Sequence, residues 1–317
     1  MLAVGLTILQ MLFVLGFAPL LSGIIKKTKA FFQSRRGPSL LQPYRDLYKY
    51  LQKETVLSEH TSWIFRITPY VYFVAILIVA LTLPILTTFG MLSFTGDLFI
   101  VIYLFALARF FLALAGLDAG SAFGGMASSR EMAVSAIAEP ALMLPLFTMA
   151  IAAGTSNLSG IVEQVAQGGW PALTSAHLMT FVALFVVGIA ETGRIPIDNP
   201  DTHLELTMIH EGMLLEYSGK QLALLTLAVH IKQLLIFALL ANLFFPWGIA
   251  SPAAGFQVST LLIATLAFAA KAVGLGMVMA VIEISMAKMR LFKIPDLLMG
   301  SFLLGLLGLI SHVLLRG

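Results

Sequence analysis

Apolar residues run along this chain in long blocks separated by short polar punctuation. Eight blocks, near residues 2–25, 66–89, 97–117, 132–154, 175–193, 221–246, 256–286 and 298–315, have about the 20-residue length that a helix needs to cross a bilayer. The pattern predicts an all-α protein, a polytopic membrane helical bundle of about eight transmembrane helices. It forms a single membrane domain over residues 1–317, since the polar remainder is too small for a separate soluble one.

Between blocks one and two lies a loop of mixed character, residues 26–63. Within it Leu40, Leu41, Tyr44, Leu47, Tyr48 and Leu51 recur at helical spacing, with Arg45, Asp46, Lys49 and Lys53 between them. This predicts an amphipathic helix at the membrane interface, serving either as an anchor on anionic lipid or as a docking surface for a soluble partner. The stretch GTSNLSGIVEQVAQGGWP, residues 154–171, has no Lys or Arg and reads as a connector.

Composition agrees with the pattern: 59% hydrophobic, 11% charged, mean hydropathy +0.95, against about 25% charged residues in soluble domains. Without cysteine the chain has no disulfide, thiolate zinc site or cysteine-held iron–sulfur cluster of its own. Fifteen of the nineteen basic residues lie in or beside the loops after blocks one, three, five and seven. By the positive-inside rule these loops face the cytoplasm and both termini face outward. The first block lacks a basic leader and ends at Lys26, Lys27 and Lys29, so it reads as a retained span.

Charge inside the blocks needs a reason, because an ionisable group at a membrane-helix centre costs about 2.5–3.5 kcal/mol on insertion scales. Arg109, Lys232 and Lys271 fall near block centres, and Glu139, Glu191 and Glu283 toward the cytoplasmic half. Counted from a helix start at residue 132, Glu139 lies about 10 Å below the cytoplasmic end, beside Pro140 and Pro145, which distort that helix. The arrangement reads as a proton or ion route, with buried ion pairs that fix helix register as the alternative. Ser301 and Gly305 make a small-residue packing face in the last block.

The densest chemistry is the segment Glu191–Gly219, with six of the chain's sixteen acids (Glu191, Asp198, Asp201, Glu205, Glu211, Glu216), two histidines and Arg194 as its one strong base. Asn199 followed by Pro200 and Asp201 predicts a helix start, and Gly219 its stop. On one helix Asp201, Glu205 and Glu216 share a face with His203 and His210 opposite, a clustering that raises at least one carboxyl pKa. No second histidine follows His210 at the spacing a zinc helix needs, and no phosphate-cradling loop, nucleophile motif or nucleic-acid surface is present.

Two stretches, SRRGPSLLQPYRDLYKYLQKE and AETGRIPIDNPDTHLELTMIHEGMLLEYSG, resemble the signature loops of the subunit-1 family of respiratory complex I, which includes membrane subunits of energy-converting [NiFe] hydrogenases and formate hydrogenlyases. Ile102–Phe111, GLDAGSAFGGMASSRE and the Glu139–Pro140 pair are similar to the hydrogenase-type members. The resemblance implies a subunit with no catalytic residue or metal of its own, joining a soluble redox arm to the membrane. The expected partners are soluble hydrogenase large and small subunits, antiporter-like membrane subunits and the lipid bilayer, with the [NiFe] centre and iron–sulfur clusters in the partners.

On the same resemblance Glu191, Glu205 and Glu216 match the coupling-loop acids and Arg35, Arg36 and Arg194 its arginines, while Asp201 and His203 match by position. Glu211 is grouped with the coupling acids, and Arg130 and His203 with the docking residues. Arg109, Glu139, Lys232, Lys271 and Glu283 join the path because of their burial in spans. A quinone-binding subunit of a complex I-like dehydrogenase and a free-standing ion transporter are the competing functions.

Overall fold

Hydrocarbon leaves backbone N–H and C=O groups only each other as partners, and the described residues are accordingly mostly helical. The computed structural model describes residues 2–90, 96–168, 174–199, 208–250 and 257–316. Among these there are ten α-helices and no β-strand. Eight correspond to the expected spans: α1 (Leu2–Phe32), α3 (Trp63–Thr82), α4 (Leu98–Asp118), α5 (Ala122–Ala153), α7 (Ser175–Glu191), α8 (Gly219–Phe244), α9 (Val258–Ser285) and α10 (Ile294–Arg316). Seven are long and apolar enough to cross a membrane, and α7, with 17 residues, is the short eighth. The expected amphipathic loop helix is α2 (Gln42–Gln52), and the expected connector contains α6 (Leu158–Gly168).

Helix α8 is the hub. Every residue from Ile231 to Phe244 is buried, Lys232, Gln233 and Asn242 included, the condition of a helix enclosed by others on all sides. It packs against α1, α2, α3, α6, α7 and α9, while α3–α4–α5 and α5–α7–α10 close the flanks. Helix α9 runs beside α1 and in the same direction, Phe268 meeting Phe13 near one end and Glu283 meeting Lys29 near the other.

Two spans depart from the apolar blocks. The second block extends to residue 89, but α3 ends at Thr82 and Leu83–Thr88 is buried without helix. Pro84 lacks the N–H a helix would use. Side chains and a facing strand-like segment replace the lost bonds. Gln10 donates to the carbonyls of Ala80 and Leu83, both at 2.9 Å, Asn242 donates to those of Pro84 (2.8 Å) and Ile85 (2.9 Å), and Ala250 N–H bonds Leu86 O at 3.0 Å.

The fourth span begins at Ala122, not near 132, so the small-residue stretch ahead of that block is the first part of α5. Its glycines let α5 approach α4 closely: a Cβ on Gly124 would stand 2.6 Å from the carbonyl oxygen of Gly116. Glu139 is therefore about 26 Å along its helix rather than about 10 Å.

The acid-rich segment does not form one helix ending at Gly219. Among its described residues Glu211–Met213 is a single 3₁₀ turn, and Gly219 opens α8. Asp198 competes for the backbone, its Oδ2 accepting the N–H groups of Ile209 (3.1 Å) and His210 (3.0 Å). The face assigned to Asp201, Glu205 and His203 lies outside the described residues, and Glu216 is an exposed residue of the irregular stretch.

The second signature stretch meets the end of the first, and residues just beyond it, along a seam. Ser218 Oγ accepts the N–H of Val56 (2.8 Å) and donates to its carbonyl (3.0 Å), while Tyr217 stacks on Phe65 at 4.0 Å and donates to Phe65 O at 2.9 Å. Gly219 adopts φ +54°, and a Cβ there would sit 2.6 Å from Glu54 O. Gly219→Ala therefore combines left-handed strain with a backbone clash and is expected to destabilise by about 1–3 kcal/mol. Gly120→Ala, also at positive φ but with open space around it, costs only the conformational part, about 1 kcal/mol. Thermal unfolding in mild detergent should rank them in that order.

Candidate functional site

Helix α7 rises only about 26 Å, against about 30 Å of hydrocarbon, so the backbone that follows it belongs to the interior. There Arg194, Pro196, Ile197 and Asp198 are buried. Their bonds are local or to the α9–α10 connection: Arg194 N–H to Ile189 O, Ile197 N–H to Arg194 O, and Met289 N–H to Pro196 O at 2.8 Å. Glu191, the last residue of α7, and Arg194 thus enter the bundle on either side of α8.

Around Arg109 of α4 the structure gathers three carboxylates. The guanidinium bonds Glu191, lies 3.0 Å from Glu139 Oε1 through Nη1, and 3.5 Å from Glu131 Oε1 through Nε. The second oxygen of Glu191 pairs with Lys232 Nζ of α8 at 2.9 Å, and that ammonium also stands 5.7 Å over the ring of Phe105. Two bases therefore face three acids, a formal charge of −1 when all are ionised. Glu139 is the least enclosed, its side chain 40% exposed.

A second cluster lies across α8. Glu283 of α9 pairs with Lys29 of α1 at 2.7 Å and with Arg194 Nη1 at 3.5 Å. Arg194 Nη2 donates to Gln233 Oε1 at 2.8 Å, which also accepts from Ser22 at 3.2 Å. Asp198 adds a pair with Lys288 Nζ at 2.8 Å. Consecutive helix residues point about 100° apart, so Lys232 and Gln233 serve opposite clusters from adjacent positions.

Between the second cluster and the signature seam is a cavity of about 370 Å³. Ser22, Lys26, Tyr50, Arg194, His210, Glu211 and His230 contribute its polar wall. Burial, then the negative charges of Asp46 and Glu211, push the Tyr50 phenol above its ordinary pKa, so it remains a neutral donor. Burial raises the Tyr217 phenol likewise.

Of the residues expected to share a path, Arg109, Glu139, Glu191 and Lys232 are in one cluster and Glu283 is in the other, where it meets Arg194, expected as a loop arginine. Lys271 joins neither. It donates to Asn242 Oδ1 (3.0 Å), Phe245 O (3.0 Å) and Trp247 O (3.2 Å), capping the carbonyl end of α8. Arg130 holds Met208 O at 3.1 Å, Glu211 borders the cavity, and Arg35, Arg36 and Glu216 are exposed. Asp201, His203 and Glu205 lie outside the described residues.

Sequence reasoning passed over Glu131, Asp198, Lys29, Lys288, Ser22 and Gln233 as site residues. Beginning α5 at residue 122 would have put Glu131 within a span, and Gln233 is a polar residue adjoining a buried lysine. Among the described residues no group of three His, Asp or Glu side chains is arranged to hold a metal ion.

Comparison with known proteins gives a consistent set. A family model described as NADH dehydrogenase matches residues 4–314. Formate hydrogenlyase subunit 4 of Escherichia coli (strain K12) is 36% identical over 305 residues, covering 96% of this chain and 97% of that one. Hydrogenase-4 component C of the same organism is 37% identical over 81% of this chain and 80% of its own. An NADH-quinone oxidoreductase subunit of Rubrobacter xylanophilus is 31% identical over 73% of this chain and 71% of its own. Among solved structures, a chain of the membrane-bound sulfane sulfur reductase, an archaeal respiratory membrane complex, has the same fold at a TM-score of 0.84 and 19% identity, covering 96% of this chain and 99% of its own.

The charge arithmetic predicts unequal effects of substitution. Arg109→Met leaves three carboxylates facing one lysine and is expected to destabilise by about 3–5 kcal/mol. Glu139→Gln removes the excess negative charge at a partly exposed position and should change stability by no more than about 1 kcal/mol. Thermal melts of the two variants in detergent check both.

Proposed function

The chain belongs to the NADH dehydrogenase family, that of complex I subunit 1, and from that premise we propose that it joins a [NiFe] hydrogenase arm to the membrane and couples electron transfer there to proton or Na⁺ translocation. As a multi-pass membrane subunit of a complex I-like complex it holds no redox centre in this reading. The [NiFe] centre and iron–sulfur clusters belong to soluble large and small subunits docked on the signature loops. Those loops face the cytoplasm, with both termini outside and the chain in the cell membrane. The hydrogenase branch is supported by identity to formate hydrogenlyase subunit 4 and hydrogenase-4 component C over most of the chain.

The observation that carries the coupling is the two-base, three-acid cluster around Arg109. In a low-dielectric interior an uncompensated charge is costly, so the surplus acid offers a place where a transported cation can balance the cluster. Glu139 is suited to exchange it, being held only through one guanidinium nitrogen. Its 40% exposure in a membrane span also fits cover by an antiporter-like neighbour, because a carboxylate facing lipid would cost several kcal/mol.

The competing quinone reading has one observation in its favour, the cavity of about 370 Å³ whose wall includes Tyr50, His210 and His230. Purification in mild detergent separates the two: a nickel- and iron-containing assembly supports the hydrogenase reading, and quinone-dependent turnover of a nickel-free assembly overturns it. Glu139→Gln is expected to keep the complex assembled and reduce the initial rate of ion pumping by at least tenfold in proteoliposomes, an effect of about 1.4 kcal/mol on that rate. Unchanged pumping would remove Glu139 from the path.

A further inference from the structure

Where α1 and α9 leave the apolar layer, a second cavity opens, of about 470 Å³, sharing Lys26 with the one bordered by Tyr50 and His230. Its charged lining is Lys26, Lys29, Arg35 and Glu283, with Ile195 and Asn199 on the facing segment. Glu283 is already engaged by Lys29 and Arg194. Lys26 and Arg35 are exposed and make no ion pair among the described residues, so the described lining has a surplus of positive charge. The chain beyond α1 turns back to hold Arg35 over the helix end, its N–H bonding Ala30 O at 2.8 Å.

More basic groups stand nearby. The α9–α10 connection docks on the segment that lines the cavity, through Lys288 on Asp198 (2.8 Å) and Met289 N–H on Pro196 O (2.8 Å). This brings the exposed Arg290 and Lys293 to the same end of the bundle. Apolar side chains are interleaved with these charges: Phe31, Phe32, Met286 and Phe292 are all exposed, Phe292 at 89%. The last turns of α9 continue that apolar surface with exposed Met277, Val278 and Val281.

From this combination we infer that the α1–α9 cavity is a binding site for the phosphate group of an anionic phospholipid. Helix α1 has 31 residues, a rise of about 46 Å, so its final turns extend past about 30 Å of hydrocarbon into the headgroup layer, where Lys26 and Lys29 lie. The Lys26 ammonium and the Arg35 guanidinium supply charge-assisted donors to phosphate oxygens, and basic pockets between membrane helices recognise anionic headgroups in this way. The acyl chains have the exposed apolar surface of α9 to lie on. Neither inorganic phosphate nor an acidic peptide would make use of that surface.

The test uses the complex purified from membranes and exchanged into nanodiscs, either of phosphatidylcholine alone or of phosphatidylcholine with phosphatidylglycerol. The expected result is a thermal midpoint several degrees higher with phosphatidylglycerol. Native mass spectrometry is expected to show one anionic lipid retained by the wild type and lost from Lys26→Gln/Arg35→Gln, while Lys27→Gln/Arg36→Gln, which changes the same charge outside the cavity lining, retains it. Equal midpoints in the two nanodiscs overturn the proposal for the wild-type protein without reliance on any variant. An equal rise with inorganic phosphate in phosphatidylcholine nanodiscs shows a free-anion site and overturns the lipid assignment. Loss of partner subunits from Lys26→Gln/Arg35→Gln with the lipid retained assigns the cavity to an acidic protein segment instead. None of these readouts depends on ion pumping, so the result stands apart from the coupling reading.

Discussion

Charge carried into hydrocarbon must be met by opposite charge or by a polar partner, and the architecture of this bundle follows from how it meets that demand. One buried helix, α8, presents Lys232 to one group of acids and Gln233 to the arginine of another. Because the neighbouring positions on α8 face different ways, the two clusters share a rigid axis without sharing a charge. The first holds one acid too many and the second, counting Lys29, Arg194 and Glu283, one base too many. The two opposed imbalances lie on either side of one helix.

The short α7 and the irregular segment after it serve the same end. A full-length span would have carried Glu191 and Arg194 out to water. Ending the helix early leaves both inside, with backbone bonds supplied locally and by the α9–α10 connection. Irregular backbone at membrane depth is tolerated when protein encloses it, and Leu83–Thr88 shows the same solution at the opposite end of the bundle, where Gln10 and Asn242 provide the bonds.

Much of this was legible in the chain because hydrophobic block length is a strong signal: eight spans, the amphipathic α2 and the in-span Arg109, Glu139 and Lys232 follow directly. What was not legible depended on contacts between distant segments. A proline two residues past Thr82 does not announce that Gln10 and Asn242 will stabilise a non-helical end. The small residues of 119–129 suit a loop as well as a closely packed helix, and Gly116 decides between them. Lys271 looks identical to Lys232 by depth, yet one caps carbonyls and the other pairs with Glu191. Helical periodicity likewise placed Glu216 on a helix, whereas the Asp198 carboxylate draws off the backbone N–H groups of Ile209 and His210.

The seam between Lys53–Val56 and Tyr217–Gly219 sets a rule for transplanting parts among relatives. Gly219 touches the main chain of Glu54, and Ser218 reads both backbone groups of Val56, so neither stretch has a complete surface without the other. A chimera that imports one signature stretch from a distant homologue brings half of a fitted joint, and it regains a proper fit only when the opposing stretch comes from the same donor.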